Sequence, residues 1–255
     1  PVARRIGAAG GSLSLVAADG VSVYNPTHAF GLFSTFNSDV VDDIALYKGA
    51  YPAQYGGRLG SVLDVRTRRS TSPELSGKLG VSLIAARGLL EGRLGPDRWY
   101  AAGRRSWLDP LLDALRSEEN PIPDYYFYDM NAGFISDRGG GRTTMTWYRG
   151  RDDIGIDADG FVDVALVWGN DVWRLGHERD LTESLDVGIS LSRSRYESLT
   201  DAAIFSTGFD VTNTLQDVTL KGNLEWSAGS DHLVSLGLGA SWYEFVYRQS
   251  FNLES

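Results

Sequence analysis

Apolar and polar residues alternate with a period of two along much of the chain after residue 75. Between 217 and 226 every even-numbered residue is apolar or glycine, and every odd-numbered residue is polar. The same alternation occurs between 185 and 192 and between 234 and 242. Between 126 and 134 the even-numbered residues are aromatic or apolar, and Asp129 lies on the opposite face. Since successive side chains of a strand point to opposite faces, this pattern predicts β-strands with one apolar face each.

Turn residues divide this region into about nine predicted strands. Their approximate ranges are 76–84, 87–95, 98–106, 125–137, 142–151, 165–178, 183–196, 213–227 and 231–247. Short connections alternate with long ones, and the predicted long connections are 107–124, 152–164 and 197–212. The first of these contains leucines spaced for one face of a short helix, which either folds over the mouth of a barrel or caps its wall.

The alternation fits both a transmembrane β-barrel and a soluble β-sandwich, which differ in the direction of the apolar face. Two features favour the barrel. Aromatic residues stand near the ends of the predicted strands, as in the girdles at membrane interfaces; they are Tyr126, Trp147, Trp173, Trp226 and Trp242. Short turns at one end and long loops at the other are also typical of outer-membrane barrels. We therefore predict a partial antiparallel transmembrane barrel.

The segment from Asp19 to Thr67 has a different character. An Asp-Gly turn leads into a short strand, and a loop rich in turn residues follows from Tyr24 to Ser38. Two further strands are predicted, one ending at Lys48 and one over 61–66. Phenylalanines recur at every third position of the loop, which predicts that one side of it is buried. The segment is thus a small mixed α/β element, too short to form a domain alone.

This segment closely resembles the C-terminal half of the plug of TonB-dependent outer-membrane receptors of the Bacteroidetes type. The resemblance rests on DGV at 19–21, YNP at 24–26, LYKG at 46–49, YGGRL at 55–59 and SVLD at 61–64. Shorter matches in the region after it follow the family's order, among them LLEG at 89–92, GRRS at 103–106, YFYD at 126–129 and WGN at 168–170. The likeness weakens after about residue 200.

The resemblance implies a plug fragment over 1–70 and the N-terminal strands of an incomplete barrel over 71–255, separated by a polar linker. Such a chain would belong to a transporter in the outer membrane of a Gram-negative-type bacterium, embedded in outer-membrane lipid. It would take up a scarce solute (a siderophore, vitamin, glycan or peptide), driven by the TonB-ExbB-ExbD complex. The sequence begins at Pro1 without a signal peptide or TonB-binding segment, so the expectation is a fragment or processed product.

Composition narrows the remaining possibilities. The net charge of −9 gives no electrostatic reason to expect nucleic-acid binding. The chain has no cysteine, so it has neither a disulfide framework nor a thiolate metal site. No catalytic motif is complete: His177-Glu178 begins an HExxH pattern, but Leu181 occupies the second histidine position. The acidic loop from Asp152 to Gly160 lacks the EF-hand spacing, which favours a solvated extracellular loop, with calcium binding as the alternative. We expect no enzyme activity, no cofactor and no metal site.

The plug loop contains the candidate substrate-binding residues. Tyr24, Asn25, His28 and Phe30 combine stacking faces with hydrogen-bonding groups, which suits a small polar ligand. The alternative is that the loop aromatics pack against the plug, and we expect this of Phe33 and Phe36.

Candidate plug–barrel contacts are arginines of the plug opposite carboxylates of the barrel. They are Arg58, Arg66 and Arg68 on the plug, with Glu91 and Asp129 on the barrel. An alternative for the whole chain, from another class, is a soluble or surface-attached β-rich binding or adhesion protein without transport.

Overall fold

The computed structural model describes residues 15–49, 51–55, 60–69, 74–107, 112, 117, 122–158, 162–204 and 207–253. Over these residues the chain forms a four-stranded sheet near its start, a two-stranded pair, and a nine-stranded sheet. We call the part up to residue 69 the plug segment and the nine-stranded sheet the barrel wall.

The plug segment is built on β1 (Leu15–Ala18), β2 (Val21–Ser22), β5 (Val41–Tyr47) and β6 (Val62–Thr67), in the order β2-β1-β6-β5. The β1 strand runs parallel to β6, and the other two pairs are antiparallel. The Asp-Gly turn between β1 and β2 has positive φ at Asp19 and Gly20, and the Asp19 carboxylate accepts a 2.8 Å hydrogen bond from the Thr67 backbone amide. That side chain therefore fastens the turn to the end of β6.

The loop between β2 and β5 contains the two-residue strands β3 (Thr27–His28) and β4 (Phe33–Ser34), joined by a 3-10 turn at Ala29–Gly31. The predicted loop thus contains one short 3-10 turn. Phe33 and Phe36 are partly buried, but Phe30 is 79% exposed. The prediction that all three phenylalanines face a buried side is therefore wrong for Phe30.

Nine strands form the barrel wall, each antiparallel to the next. They are β7 (Ser76–Val81), β8 (Ala85–Leu94), β9 (Asp97–Ser106), β10 (Asp124–Arg138), β11 (Gly141–Ala158), β12 (Val162–Thr182), β13 (Leu185–Ile204), β14 (Thr207–Ser227) and β15 (Leu233–Leu253). The number and order of the predicted strands are confirmed.

The prediction of long loops at 152–164 and 197–212 is wrong. Strands β11 and β12 remain paired to Ala158–Val162, and β13 and β14 to Ile204–Thr207, so most of 152–164 and 197–212 is strand. Polar residues there indicated loops, but a hairpin arm that extends beyond the membrane needs no apolar face. The helix predicted within 107–124 falls mostly outside the described residues. Within the described residues, no helix has the length and hydrophobicity required to cross a bilayer.

The two faces of the wall differ as the alternation predicted. Phe127, Asp129 and Asn131 of β10 are buried on the side that faces the plug segment, whereas Met130 between them is 46% exposed on the outer face. Outer-face residues align in rows across the strands. One row joins Trp147, Trp173, Arg193, Val218 and Trp242, and the next row joins Met145, Leu175, Leu191, Leu220 and Ala240.

The spacing of the outer-face tryptophans matches a membrane. Trp226 pairs with Val234, eight residues from Trp242 on β15. At about 3.3 Å per residue, and with the strand tilt of about 40° usual in such barrels, this separation is about 20 Å along the barrel axis. Outer-membrane barrels carry an apolar band about 25 Å tall between two aromatic girdles. The two tryptophans therefore lie near the two borders of such a band.

The plug segment packs on the inner face of the wall through two small apolar clusters. One joins Val21 and Val23 of the plug to Tyr148 and Val172 of the wall. A second places Val40 of the plug against three side chains of β8 and β9, namely Leu89, Tyr100 and Ala102. These clusters bring the β2–β5 loop against β9 to β12, where the polar contacts described next are made.

Candidate functional site

The β2–β5 loop holds His28 against the inner face of the barrel wall. His28 has an extended backbone before the 3-10 turn, and the next two residues, Ala29 and Phe30, have φ of 49° and 55°. Residues other than glycine rarely adopt this left-handed conformation, which costs on the order of 1–3 kcal/mol each. The turn is short, and Gly31, at φ 99°, completes it without a Cβ.

His28 lies between two carboxylates of the wall. Its side chain is 1% exposed; Nδ1 lies 2.6 Å from Asp152 Oδ2 and Nε2 lies 2.7 Å from Asp129 Oδ1. The ring also stacks on Phe127, with centroids 4.3 Å apart. Since both neighbours are acidic acceptors, both ring nitrogens must carry a proton to donate, which makes the side chain an imidazolium. We call His28, Asp129 and Asp152 the histidine cluster.

The two carboxylates have further partners on neighbouring strands. Arg104 donates from Nε to Asp129 at 2.7 Å. The Tyr125 hydroxyl donates to Asp152 at 2.6 Å, and the Ala29 backbone amide donates to the same oxygen at 3.1 Å. The two carboxylates are thus held by groups from the plug segment and from strands β9 and β10, of which Arg104 supplies a positive charge.

The pKa of His28 is raised above the ordinary value of histidine. Burial acts in the opposite direction, because it disfavours the charged ring, but the hydrogen bonds and negative charges of Asp129 and Asp152 outweigh it. The contact between the plug segment and the wall is an ion pair when His28 is protonated, and the raised pKa extends this state to higher pH than for an ordinary histidine.

A line of polar contacts continues along the loop onto later strands. Asn170 donates from Nδ2 to the Asn25 carbonyl at 2.7 Å and accepts from the Tyr24 amide at 3.2 Å. The Tyr24 hydroxyl donates to Asp217. Farther along, Ser194 donates from Oγ to the Ser22 carbonyl at 2.6 Å. These contacts connect the plug segment to β12, β13 and β14.

At the other side of the plug, Arg68 pairs with Glu91 of β8 at 3.1 Å, and both side chains are mostly buried. This is one of the predicted plug–barrel pairs. Arg66 instead pairs with Asp64 on its own strand at 3.1 Å, and its barrel contact stays a prediction. Hydrogen bonding to Asp64 raises the pKa of Arg66. Asp64 and Arg66 are two positions apart on β6, so their side chains lie on the same face of the strand. Arg58 lies outside the described residues.

Asp129 does contact the plug, but through His28 rather than through an arginine. This contact joins residues 101 positions apart, and the Asp152 contact joins residues 124 positions apart. The sequence carried one usable signal. Asp129 stands on the polar face of its strand, and the β10–β11 register places Asp152 two positions beyond the residue opposite it.

The four candidate substrate-binding residues have different positions. Phe30 is 79% exposed, and its ring lies 5.3 Å from that of Trp168. Tyr24 and Asn25 are half-buried and connect the loop to the wall. His28 has both ring nitrogens engaged and almost no exposed surface, so in this conformation it holds the loop and presents nothing to a ligand.

The structure gives partners for the first two carboxylates of the acidic segment that begins at Asp152. Asp152 belongs to the histidine cluster and Asp153 pairs with Arg151 at 3.3 Å, while residues 159–161 lie outside the described part of the chain. Among the described residues, no group of three or more acidic or histidine side chains is placed to hold a metal ion.

Comparisons with solved structures identify the fold. The chain superposes on FpvA of P. aeruginosa bound to an iron–pyoverdine complex with a TM-score of 0.68 at 14% identity, covering 94% of this chain and 37% of that one. The copper transporter OprC gives 0.66 at 12% identity, covering 93% and 39%. The siderophore receptor PiuA of Acinetobacter baumannii gives 0.62 at 14% identity, with coverages of 93% and 39%. No protein-family model and no curated protein matches the chain.

The fold is therefore that of outer-membrane receptors in which a plug occupies a β-barrel. Within that class it is the fold of the TonB-dependent receptors, as the plug motifs indicated. The chain spans less than two-fifths of the length of FpvA and of OprC. The assignment of residues 1–70 and 71–255 to two domains stays a prediction.

Proposed function

We propose that the chain forms the plug–barrel junction of a TonB-dependent transporter that takes up a scarce solute across the outer membrane of a Gram-negative bacterium. The observation that carries this proposal is the occupation of the wall's inner face by the plug segment, which contacts strands from β8 to β14. A pore obstructed in this way does not conduct a solute until the obstruction moves.

Movement of the plug requires work, because several contacts must break together. The histidine cluster is buried, and separating a buried ion pair costs several kcal/mol when one partner is left without compensation. The pair of Arg68 with Glu91 is also mostly buried, and its separation adds to this cost. An energy source outside the outer membrane is therefore needed, and the TonB-ExbB-ExbD complex is the partner that the fold implies.

Phe30 is the strongest candidate for contact with the solute. Its ring is exposed, the left-handed turn fixes its direction, and Trp168 of the wall lies beside it. Two aromatic faces at the opening between plug and wall suit a ligand with planar or apolar groups. Tyr24 and Asn25 position this loop, and ligand contact by either requires that their wall contacts open first.

The test is energised uptake by cells that carry the full-length protein. Radiolabelled ferric siderophores, copper and cobalamin are offered to wild-type cells, to cells lacking TonB and to cells treated with a protonophore. We expect one solute to accumulate in wild-type cells only. Phe30→Ala should weaken binding of that solute, whereas Phe36→Ala, a partly buried loop residue, serves as the control for loop folding.

A locked plug gives a second readout. The chain has no cysteine, so Tyr24→Cys with Asp217→Cys introduces the only pair in it for a bifunctional thiol crosslinker. Crosslinking should abolish uptake without reducing binding at the cell surface. Uptake that persists in the crosslinked protein or in cells lacking TonB would refute the proposal. Recovery of the protein in the soluble fraction would favour the binding or adhesion protein instead.

A further inference from the structure

A pocket of about 290 Å³ opens among strands β11, β12 and β13. Its border includes Trp168 and Asn170, which also contact the plug segment. Its charged lining residues are Arg149, Arg151, Arg193, Arg195, Asp171 and Glu197. All six have odd numbers, whereas the residues of these strands that are buried towards the plug have even numbers, such as Tyr148, Asn170 and Ser194. The charged side chains therefore stand on the outer face of the wall.

The pocket lies at the border of the apolar band. Arg193 is level with Trp147 and Trp173, whose rings pack 5.7 Å apart. Arg149 and Arg195 are one step farther from the band's centre, on either side of Asp171. On the opposite side of the tryptophans, the next cross-strand row is apolar and carries Met145, Leu175 and Leu191. A lipid whose tails cover this row and the tryptophans would thus have its headgroup beside the arginines.

The acidic residues of the pocket leave part of its positive charge uncompensated. Asp171 accepts hydrogen bonds from both indoles, at 2.8 Å from Trp173 and 3.4 Å from Trp147. Glu197 pairs with Arg195 at 3.1 Å. The guanidinium of Arg193 is held by the neutral amide of Gln216 at 2.6 Å.

Two donors remain for a ligand. Arg149 is exposed and has no side-chain hydrogen bond or ion pair to another described residue. Nε of Arg195 is buried and has no hydrogen-bond partner among the described residues. Arginine binds phosphate oxygens through a fork of parallel N–H donors, and clusters of it at a membrane surface attract anionic headgroups.

From this placement we propose that the arginine pocket binds the phosphorylated headgroup of a lipid in the outer leaflet. The ligand class is a phosphate monoester on a lipid, oriented with its tails against the apolar rows of β11 to β14. The inference rests on the outer-membrane location in the proposed function. Its charged residues are distinct from the proposed solute contact at Phe30, because the arginines stand on the outer face of the wall.

The experiment measures binding of lipid A by native mass spectrometry of the full-length protein in detergent. Bisphosphorylated lipid A is compared with enzymatically dephosphorylated lipid A, and inorganic phosphate is added as a competitor. The test variant is Arg149→Gln with Arg193→Gln. The matched control is Arg179→Gln, which is also on the outer face of β12 but lies beside the short turn at the far end. Arg149→Lys keeps the charge and checks that the variants assemble normally.

We expect the double variant to lose about tenfold or more in affinity, since charge-assisted hydrogen bonds to a phosphate are removed. Removal of the phosphates from the lipid should lower affinity equally, and Arg179→Gln should change nothing. Equal binding of both lipids, or by all variants, would overturn the inference. Displacement by millimolar inorganic phosphate would overturn the lipid assignment in favour of a free-anion site.

Membrane fractionation separates this inference from the function on which it rests. Absence of the protein from the outer membrane would refute both. Presence there, with energised uptake but no phosphate-dependent lipid binding, would refute the inference alone.

Discussion

Replacement of His28 by alanine tests whether the histidine cluster holds the plug loop to the wall. The substitution removes the cation between Asp129 and Asp152, both almost fully buried. Arg104 still compensates Asp129, at 2.7 Å. Asp152 retains only the Tyr125 hydroxyl and one backbone amide, so it becomes a buried carboxylate without an opposite charge.

The expected cost is at the lower end of the range for breaking a buried pair, about 3 kcal/mol, because both carboxylates keep some hydrogen bonds. A loss of this size increases local opening about 150-fold. Hydrogen exchange of the full-length protein in detergent measures it directly. The reporters are the backbone amides of Thr35 and Val40, which donate within the loop at 3.2 Å and 3.1 Å. Exchange of β6 serves as the internal reference for the plug as a whole.

Two further variants decide between the charge and the packing of the ring. Asp152→Asn in the His28→Ala background removes the uncompensated charge and should recover at least part of the protection, with a coupling on the order of 0.5–3 kcal/mol. His177→Ala removes an exposed histidine of β12 and should leave loop exchange unchanged. If His28→Ala speeds hydrogen exchange of the loop amides by less than about fivefold, against the 150-fold expected from the free energy, the ion-pair interpretation is refuted.

The raised pKa of His28 also fixes the sign of the pH dependence. A histidine whose pKa is higher in the folded protein stabilises it fully below its unfolded value of about 6.5. That contribution is lost as the pH rises through the folded pKa. Loop exchange, corrected for its intrinsic pH dependence, should therefore increase on the alkaline side. The ionisable groups that face His28 from the wall are Asp129, Asp152, Arg104, Tyr125 and Tyr148.

Three other substitutions test separate parts of the fold. Arg68→Ala leaves Glu91 buried without its cation and should destabilise the plug–wall contact by about 3 kcal/mol, seen as faster exchange in β6. Gly133→Ala places a Cβ 2.1 Å from the Tyr100 ring and should lower barrel stability by about 1–3 kcal/mol in thermal unfolding. Leu220→Arg puts a charge in the apolar band and should cost about 2–4 kcal/mol and reduce the yield of folded barrel in the membrane.

Each of these has a matched control in the chain. Arg66→Ala removes a half-exposed pair and should change stability by about 1 kcal/mol at most. Gly155→Ala meets its nearest atom at 3.8 Å, and its effect should be small. Thr212→Arg lies on the same strand and face as Leu220 but beyond the arginine rows, outside the band. Equal effects of Leu220→Arg and Thr212→Arg would contradict the position of the membrane.

The sequence was sufficient for the strands of the wall because each strand satisfies a local rule. Alternation with a period of two gave the number of strands and the two faces, and the turn residues and apolar runs of the plug segment gave the β2, β5 and β6 strands. The lengths of the hairpins beyond Asp152 and Leu199 were not predictable in this way. Where a strand leaves the membrane, both of its faces meet water, so the apolar signal ends although the backbone pairing continues.

The site was only partly predictable because its contacts join distant parts of the chain. Opposite charge made Arg68 and Glu91 candidates but could not select the pairs, and Arg66 pairs with a carboxylate two positions away on its own strand. The role of His28 depends on two strands of the wall that meet it more than a hundred positions later. From the sequence alone, a lone histidine on a polar loop indicates a ligand-binding group. The two buried carboxylates beside its ring are evident only in the three-dimensional structure.

The contacts between plug and wall are uneven in strength, and this determines where release would begin. Half-exposed pairs, such as Arg87 with Asp39, contribute about 0–1 kcal/mol each in a wet lumen. The apolar clusters at Val21 and Val40 involve a few side chains only. The histidine cluster is the contact in which both charges are almost fully buried. Since the loop carrying Phe30 is anchored through it, under the proposed function a ligand that displaces Phe30 would act next to this buried contact between plug and wall. Binding at the outside and release of the plug would then be coupled through one turn of chain, Ala29–Gly31.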